Sequence, residues 1–209
     1  MSGSVTVCDH PLLQETLARL RDKKTPSAEF RRLMEDAGVH LGLQALKGLK
    51  TKRLPLKTPM ATFNAPRVVE PIVLTAILRA GLGILPGLSR FIPTAKIGCI
   101  GLYRNEETLK PVRYIVRLPK GLNKSHVLLM DPMLATGGSA SASISILKEE
   151  GARKITLVCL LATKPGIRRV HKDHKDVPIV TASIDPVLNS IGYIVPGLGD
   201  AGDRLYDTN

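Results

Sequence analysis

The sequence predicts an α/β fold in which helices flank a mostly parallel central sheet. From about residue 68 onward, short apolar runs alternate with helix-like segments, as in parallel sheets. Hydrophobic residues make up 44% of the chain but aromatic residues only 3%, so its core must be aliphatic, as buried parallel strands are. We expect one domain over 1–209, with N-terminal helices and an arm at 1–67 and the α/β core at 68–209.

The N-terminal part is predicted to be helical. Residues 10–20 place apolar side chains at helical spacing. Thr25 is expected to cap a second helix whose first residue is Pro26, and Gly38 to stop or break that helix. The basic stretch at 47–59 contains prolines and predicts a connection or an exposed pair of short strands.

Strands and helices are predicted to alternate in the core. Continuous apolar runs of strand length predict strands at 68–78, 95–103, 126–130, 154–162 and 178–184. The segments between them predict helices at 83–90, 139–150 and 166–174. The final twenty residues are rich in glycine and end acidic, unlike the rest of the chain.

Charge and cysteine content narrow the function classes. The net charge is +12, but the basic residues are scattered and are not interleaved with aromatic side chains, so nucleic-acid binding is not predicted. The three cysteines lie far apart and form no CxxC pair, which indicates a reduced, cytoplasmic protein with no zinc site. No apolar stretch approaches membrane-spanning length, so we expect no membrane insertion.

The segment DPMLATGGS, residues 131–139, predicts a phosphate site. It follows a buried strand and precedes a helix, so loop N–H groups and the helix N-terminus together favour an anion. Thr136 and Ser139 add hydroxyl donors. The GxxxxGK[ST] order is absent, which indicates a phosphate that is held rather than transferred. Asp131 is expected to accept hydrogen bonds from hydroxyls, as on a ribose. The alternative is a purely structural strand–turn–helix corner.

Two arginines also follow predicted strands. Arg79 and Arg104 could reach a pyrophosphate from the carboxyl ends of their strands. Alternatively, Arg79 is a surface cap, and Arg104 forms an ion pair with Glu106 or Glu107 that would be worth little if exposed.

Four strings in this order resemble the uracil phosphoribosyltransferase family. They are ILRAGLG at 77–83, GLYRNEETLKPV at 101–112, DPMLATGGS at 131–139 and TASIDPVLNSIGYIVPGLGDAGDR at 181–204. The resemblance implies the type I phosphoribosyltransferase fold with a flexible arm or hood. It also implies transfer of a phosphoribosyl group from 5-phosphoribosyl pyrophosphate (PRPP) to uracil, giving UMP and pyrophosphate.

The resemblance also implies the ligand set. For PRPP it names Arg79, Arg104, Asp131, Pro132, Met133, Leu134, Ala135, Thr136, Gly137, Gly138, Ser139 and Asp200. For uracil it names Ile194, Gly199, Asp200 and Ala201, with the base read by backbone groups that glycines allow to come close. Tyr193 would flank the ring or serve only in packing. Mg²⁺ would be carried by PRPP, with no dedicated protein ligand.

Members of the family often form dimers or tetramers, and some respond to GTP. The resemblance therefore implies a homo-oligomer and makes GTP a candidate effector. Two other functions stay open. One is an RNA-binding regulator that kept the fold, which only the positive charge favours. The other is transfer to orotate or a purine, although orotate calls for a cation that the base-site string lacks.

Overall fold

The computed structural model describes residues 3–104 and 111–208. In these ranges the strands are β1 (Val5–Val7), β2 (Thr51–Lys57), β3 (Thr62–Val68), β4 (Ile72–Leu78), β5 (Lys96–Arg104), β6 (Pro111–Arg117), β7 (His126–Met130), β8 (Met133–Leu134), β9 (Lys154–Thr163), β10 (Ile179–Asp185), β11 (Val187–Leu188) and β12 (Ile194–Val195). The α-helices are α1 (Pro11–Arg21), α2 (Ser27–Ala45), α3 (Leu85–Phe91), α4 (Gly138–Glu149), α5 (Lys164–Asp173) and α6 (Ala201–Tyr206), and short 3-10 turns lie at Ala80–Gly83 and Leu122–Lys124.

The main sheet has the order β1-β10-β9-β7-β4-β5-β6, and β8 pairs with β9 beyond the end of β7. Its strands pair in parallel, except that β5 and β6 are antiparallel. The predicted mostly parallel sheet is therefore confirmed. From β4 the chain passes to β5 on one side, and later returns as β7 on the other side. This reversal of strand order creates a crevice at the carboxyl ends of β4 and β7, which is where open α/β sheets bind ligands.

Two aliphatic layers cover the sheet. Helices α1, α2, α3 and α6 bury one face against alternate strand residues, including Leu74, Leu128, Val158 and Val180. The other face packs against α4 and α5 through Val73, Val127, Leu129, Leu157 and Ile179. Strands that are buried on both faces read as continuous apolar runs, which explains why the sequence signal was strong.

The strand prediction at 68–78 was wrong at its start. Val68 is the last residue of β3, and β4 begins only at Ile72. Pro71 stands between them and has no N–H to donate to a ladder, so the apolar run is divided into two strands. The other elements agree more closely: β7 occupies 126–130 as predicted, and α4 differs from its prediction by one residue at each end.

The second helix also differs from its prediction at both predicted boundaries. It begins at Ser27, with Pro26 as its cap residue, because the Thr25 hydroxyl donates to the carbonyl of Arg19 at 2.6 Å and so closes off α1. Gly38 neither stops nor breaks the helix, which continues to Ala45. A Cβ at Gly38 would lie 2.7 Å from the carbonyl oxygen of Ile84, so this glycine allows α2 to approach the turn before α3.

An exposed antiparallel hairpin formed by β2 and β3 follows α2. Only β2 lies within 47–59, where a connection or a pair of short strands was expected, and its partner β3 lies beyond that range. Its apolar side chains are largely uncovered, among them Leu54, Met60 and Phe63. In the ranges that the structure describes, no helix combines the length and apolar character needed to span a membrane.

We predict that Gly38→Ala destabilises the protein although alanine favours helix. Alanine contributes about 1 kcal/mol of helix propensity, but overpacking against fixed backbone costs about 1–3 kcal/mol. The net loss in the free energy of unfolding should therefore be up to about 2 kcal/mol, measured by urea denaturation.

Gly48→Ala is the matched control, because in the part of the chain that the structure describes nothing beyond the two chain neighbours lies within 4 Å of a Cβ built there. It should change the free energy of unfolding by less than about 0.5 kcal/mol. Equal effects of the two substitutions would contradict the packing explanation.

Candidate functional site

The first half of the loop at 131–139 is fastened to the sheet. Met133 and Leu134 form β8 alongside β9. The carbonyl oxygen of Pro132 accepts hydrogen bonds from the N–H groups of Leu160 at 3.0 Å and Leu161 at 2.9 Å. The loop therefore leaves β7 in a defined direction.

The second half of the loop opens helix α4. Gly137 is the cap residue, with φ of 80°, and no side chain caps the helix there. A Cβ at Gly137 would lie 2.7 Å from the carbonyl oxygen of Gly166, so the loop lies directly on the start of α5. The first N–H groups of a helix have no partner within the helix. Since Thr136 and Ser139 are exposed beside them, the loop presents amide and hydroxyl donors to an anion.

A buried threonine ties the same loop to α5. The Thr163 hydroxyl donates to the carbonyl of Ala135 at 2.6 Å and accepts from the N–H of Gly166 at 3.0 Å. Because Thr163 is also the cap residue of α5, one side chain fixes both the loop and the helix.

Asp131 is the first residue after β7 and is only partly exposed. One carboxylate oxygen accepts from the N–H of Met133 at 3.4 Å. Burial raises the pKa of Asp131 from an ordinary value of 3.8 to about 6, because the charged form loses water and the single backbone hydrogen bond compensates only in part. This carboxylate therefore gains from partners that donate hydrogen bonds.

The two predicted arginines lie at the carboxyl ends of neighbouring strands. Arg79 directly follows β4; its side chain is 55% exposed and donates to Asp203 of α6 at 3.3 Å. Its guanidinium carbon also lies 5.5 Å from the ring centre of Tyr206. Such an exposed ion pair is weak and leaves Arg79 able to bind an anion. Arg104 is the last residue of β5, but its side chain lies outside the described residues, as do Glu106 and Glu107.

The loop at 131–139, called the phosphate loop below, and the glycine-rich C-terminal segment meet in one pocket. The pocket has a volume of about 270 Å³ and is lined by Met133, Ala135, Gly192, Tyr193, Ile194, Gly199, Asp200 and Ala201. Pockets for drug-sized molecules measure roughly 300–1,000 Å³, so this one suits a single-ring compound. All four residues that were predicted to contact uracil line it.

Three residues of the glycine-rich segment have different roles. Tyr193 is 43% exposed, so its ring can flank a ligand instead of packing in the core. Asp200 caps α6 by accepting from the N–H of Asp203 at 2.9 Å. Gly197 has φ of 57°, and any Cβ there would collide with the carbonyl of Ile194, so the turn requires glycine.

A larger cavity of about 760 Å³ lies elsewhere, beside the start of β4. Leu43, Val69, Ile72 and Phe91 are among its lining residues, and none of the predicted site residues whose side chains are described is. Ligands of open α/β sheets bind at the carboxyl ends of strands, so the smaller pocket is the candidate site.

Comparison with known proteins agrees with this geometry. The family model described as uracil phosphoribosyltransferase matches residues 7–208. The chain belongs to the uracil phosphoribosyltransferase family. A relative named uracil phosphoribosyltransferase from Desulfitobacterium hafniense is 47% identical over 207 residues, which cover 99% of each protein.

Solved structures agree with the family's fold. The AQ2163 protein from Aquifex aeolicus matches with a TM-score of 0.93 and 35% identity, over 98% of this chain and 99% of that one. An adenine phosphoribosyltransferase from Thermoanaerobacter pseudethanolicus matches with a TM-score of 0.51 and 15% identity, over 77% of this chain and 84% of that one. The second likeness concerns the fold alone and identifies it as the type I phosphoribosyltransferase fold.

Sequence reasoning missed three residues that hold the glycine-rich C-terminal segment in place: Arg21, Asp185 and Arg204. Asp185 ends β10 as an acid directly after an apolar strand, the same signal that singled out Asp131. Arg21 and Arg204 carry no local signal, because their partners lie far away in the sequence.

We predict that Asp131 gives the stability of the protein a specific pH dependence. Because its pKa is raised in the folded state, the folded protein binds more protons than the unfolded chain between about pH 4 and pH 6. Its contribution to stability is therefore largest at low pH and is lost as the pH rises through this window. Asp131→Asn should abolish that loss.

Urea denaturation at pH 4 and pH 7 tests this prediction. The free energy of unfolding of Asp131→Asn, relative to wild type, should be more favourable at pH 7 than at pH 4. The exposed Asp207→Asn serves as the control for removing one carboxylate. The same relative stability at both pH values would refute the raised pKa.

Proposed function

We propose that the chain transfers the phosphoribosyl group of PRPP to N1 of uracil, giving UMP and pyrophosphate in pyrimidine salvage. The observation that carries this proposal is the shared pocket. Met133 and Ala135 of the phosphate loop line it together with Ile194 and Gly199 of the glycine-rich segment at 193–203, which we call the base segment. A phosphoribosyl donor on the loop would thus hold its ribose C1 next to a base on the segment.

The proposed PRPP site is formed by the loop and the two arginines. The ribose 5′-phosphate binds the amide and hydroxyl donors of residues 131–139, that is, Asp131, Pro132, Met133, Leu134, Ala135, Thr136, Gly137, Gly138 and Ser139. The Asp131 carboxylate accepts hydrogen bonds from the ribose hydroxyls, which relieves the cost of its burial. Arg79 and Arg104 bind the pyrophosphate, and Asp200 lies where base and ribose meet.

The proposed uracil site reads the base mainly through the backbone. Uracil presents a carbonyl, an N–H and a carbonyl along one edge, and the backbone groups of Ile194, Gly199, Asp200 and Ala201 can match them. Cytosine presents a different order, and each buried polar group left unpaired typically costs about 1–3 kcal/mol. Among the residues that the structure describes, no lysine or arginine lines the pocket, which favours uracil over orotate because orotate carries a carboxylate.

Catalysis in this proposal comes from positioning and charge stabilisation. The N1–C1 bond forms as the bond from C1 to pyrophosphate breaks, and the N1 proton passes to solvent. Positive charge that develops on the ribose and negative charge on the leaving group are stabilised by groups already in place. The described residues that line the pocket include no histidine, so none is assigned as a base.

Mg²⁺ fits the donors at this site as a companion of PRPP. The carboxylate of Asp131 and the hydroxyls of the loop are oxygen donors, which Mg²⁺ prefers. Among the described residues, no three histidine, cysteine, aspartate or glutamate side chains form a metal site. We therefore assign no dedicated protein ligand: the ion would be carried by PRPP, take its ligands from PRPP and water near these oxygens, and neutralise part of the pyrophosphate charge.

The domain organisation, location, oligomeric state and effector of the enzyme are also part of the proposal. We propose a single phosphoribosyltransferase domain over residues 1–209, acting in the cytoplasm as a dimer or tetramer and without nucleic acid. The uncovered apolar side chains of the β2–β3 hairpin, such as Leu54 and Phe63, support contact with another subunit. GTP is proposed as an effector on the basis of the family alone.

We predict that the purified protein forms UMP and pyrophosphate from uracil, PRPP and Mg²⁺. Parallel reactions with cytosine, orotate and purines should form far less nucleotide, because their edges leave backbone groups unpaired. Chromatographic quantification of nucleotide and pyrophosphate checks this result. Absence of UMP would overturn the proposed function, and salt-resistant binding of structured RNA would favour a regulator instead.

We predict that Asp200→Asn lowers kcat/KM by about 100-fold or more, because a carboxylate beside the reacting atoms is preorganised. Asparagine caps helices as well as aspartate does, so α6 and the free energy of unfolding should be preserved. Asp207→Asn removes a carboxylate from the other end of α6 and should keep wild-type rates. Wild-type kinetics in Asp200→Asn would remove this residue from the site.

A further inference from the structure

A buried ion pair lies beneath the proposed base site. Arg21 is the last residue of α1, and Asp185 is the last residue of β10. The two terminal nitrogens of the guanidinium donate to the two carboxylate oxygens at 2.6 and 2.7 Å, and the hydroxyl of Ser183 donates to the same carboxylate at 2.8 Å. The Asp185 side chain is only 2% exposed.

Both partners of this pair hold the same residue of the base segment. The Gly197 N–H donates to Asp185 at 3.0 Å, and Arg21 donates to the Gly197 carbonyl at 2.7 Å. The pair therefore satisfies both backbone groups of Gly197 at once. Burial opposes the charge, but the hydrogen bonds from Arg21, Ser183 and Gly197 hold the pKa of Asp185 below its ordinary value, so the carboxylate stays ionised.

A second guanidinium holds the next carbonyl. Arg204 donates to the carbonyl oxygen of Leu198 at 2.9 Å and to that of Asp22 at 2.6 Å, and it lies 4.3 Å from the ring centre of Phe30. Two successive carbonyls of the segment, those of Gly197 and Leu198, are thereby bound to the end of α1 and the start of the α1–α2 connection.

This anchoring determines which backbone groups reach the pocket. Gly197 and Leu198 are buried and do not line it, whereas Gly199, Asp200 and Ala201 directly after them do. The carbonyls of Gly197 and Leu198 are bound by Arg21 and Arg204, which do not line the pocket, and the peptide groups that follow form part of the pocket wall. Arg21 and Asp185 themselves do not line the pocket, so they can affect the base only through the segment.

We infer that Arg21 and Asp185 are positioning residues that set uracil affinity by binding the carbonyl and the N–H of Gly197. The inference rests on the proposed function and deepens it. The phosphate loop is held separately, by β9 and Thr163, so PRPP binding should be independent of the pair.

The experiment must separate positioning from stability. Removing one partner leaves the other as a buried charge and destabilises the fold, whereas replacing both by apolar residues of similar size is often tolerated. We therefore choose Arg21→Met combined with Asp185→Leu, and in addition Arg21→Lys. Lysine keeps the charge but lacks the forked geometry needed to serve Asp185 and Gly197 together.

Two measurements follow for each folded variant. Steady-state kinetics should show KM for uracil raised about tenfold or more in the double variant and less in Arg21→Lys, with KM for PRPP within about twofold. Calorimetry should show the affinity for UMP reduced about tenfold while the affinity for ribose 5-phosphate is unchanged. UMP and ribose 5-phosphate share the ribose and phosphate, so their ratio isolates the base site.

A matched control uses another arginine of α1, Arg19, which pairs with Glu29 of α2. Arg19→Met with Glu29→Gln removes an exposed arginine–acid pair two residues from Arg21 and should change neither ratio. Unchanged uracil KM and UMP affinity in a folded double variant, or in Arg21→Lys if the double variant does not fold, would overturn the inference. So would equal losses for UMP and ribose 5-phosphate. No UMP formation by the wild-type protein would instead overturn the proposed function.

Discussion

The reversal of strand order between β4 and β7 is the constraint on which the site depends. The chain leaves these neighbouring parallel strands in different directions, so their carboxyl ends open a crevice that the connecting segments must line. Asp131 follows β7 and Arg79 follows β4 for this reason. The two turns are in close contact, since a Cβ on Gly81 would lie 2.5 Å from the carbonyl oxygen of Met130.

The two walls of the pocket are held by different forces. The phosphate loop continues the sheet through β8, so ordinary ladder hydrogen bonds keep it in place. The base segment is outside the main sheet and is fastened by guanidinium groups on its carbonyls. Buried ion pairs are poor sources of stability, because desolvation offsets their attraction. In the proposed function, the wall formed by the loop holds an anion and the wall formed by the base segment is shaped to a base.

The predictions from the sequence succeeded for elements whose signal lies in neighbouring residues, and two of the failures have different reasons. The strand at 126–130 could be predicted because its apolar run is bounded by polar residues on either side. The predicted stop at Gly38 failed because its role is decided by contact with Ile84, far along the chain. The prediction of a single strand at 68–78 was wrong for a local reason, because Pro71 has no N–H to donate and divides the apolar run. The PRPP and uracil roles of the site residues stay predictions, although the structure brings six of them into one pocket: Met133, Ala135, Ile194, Gly199, Asp200 and Ala201.

The sequence by itself determined the fold class, the family and the two segments of the site, because hydrophobic periodicity and glycine-rich strings are local properties. Only the tertiary structure decided that Met133 and Tyr193 share a pocket and that a buried pair supports it. Arg21 and Asp185 are separated by 164 positions, and nothing near either one indicates its partner. Their meeting depends on how α1 packs against β10, which is a property of the assembled core and not of any segment read alone.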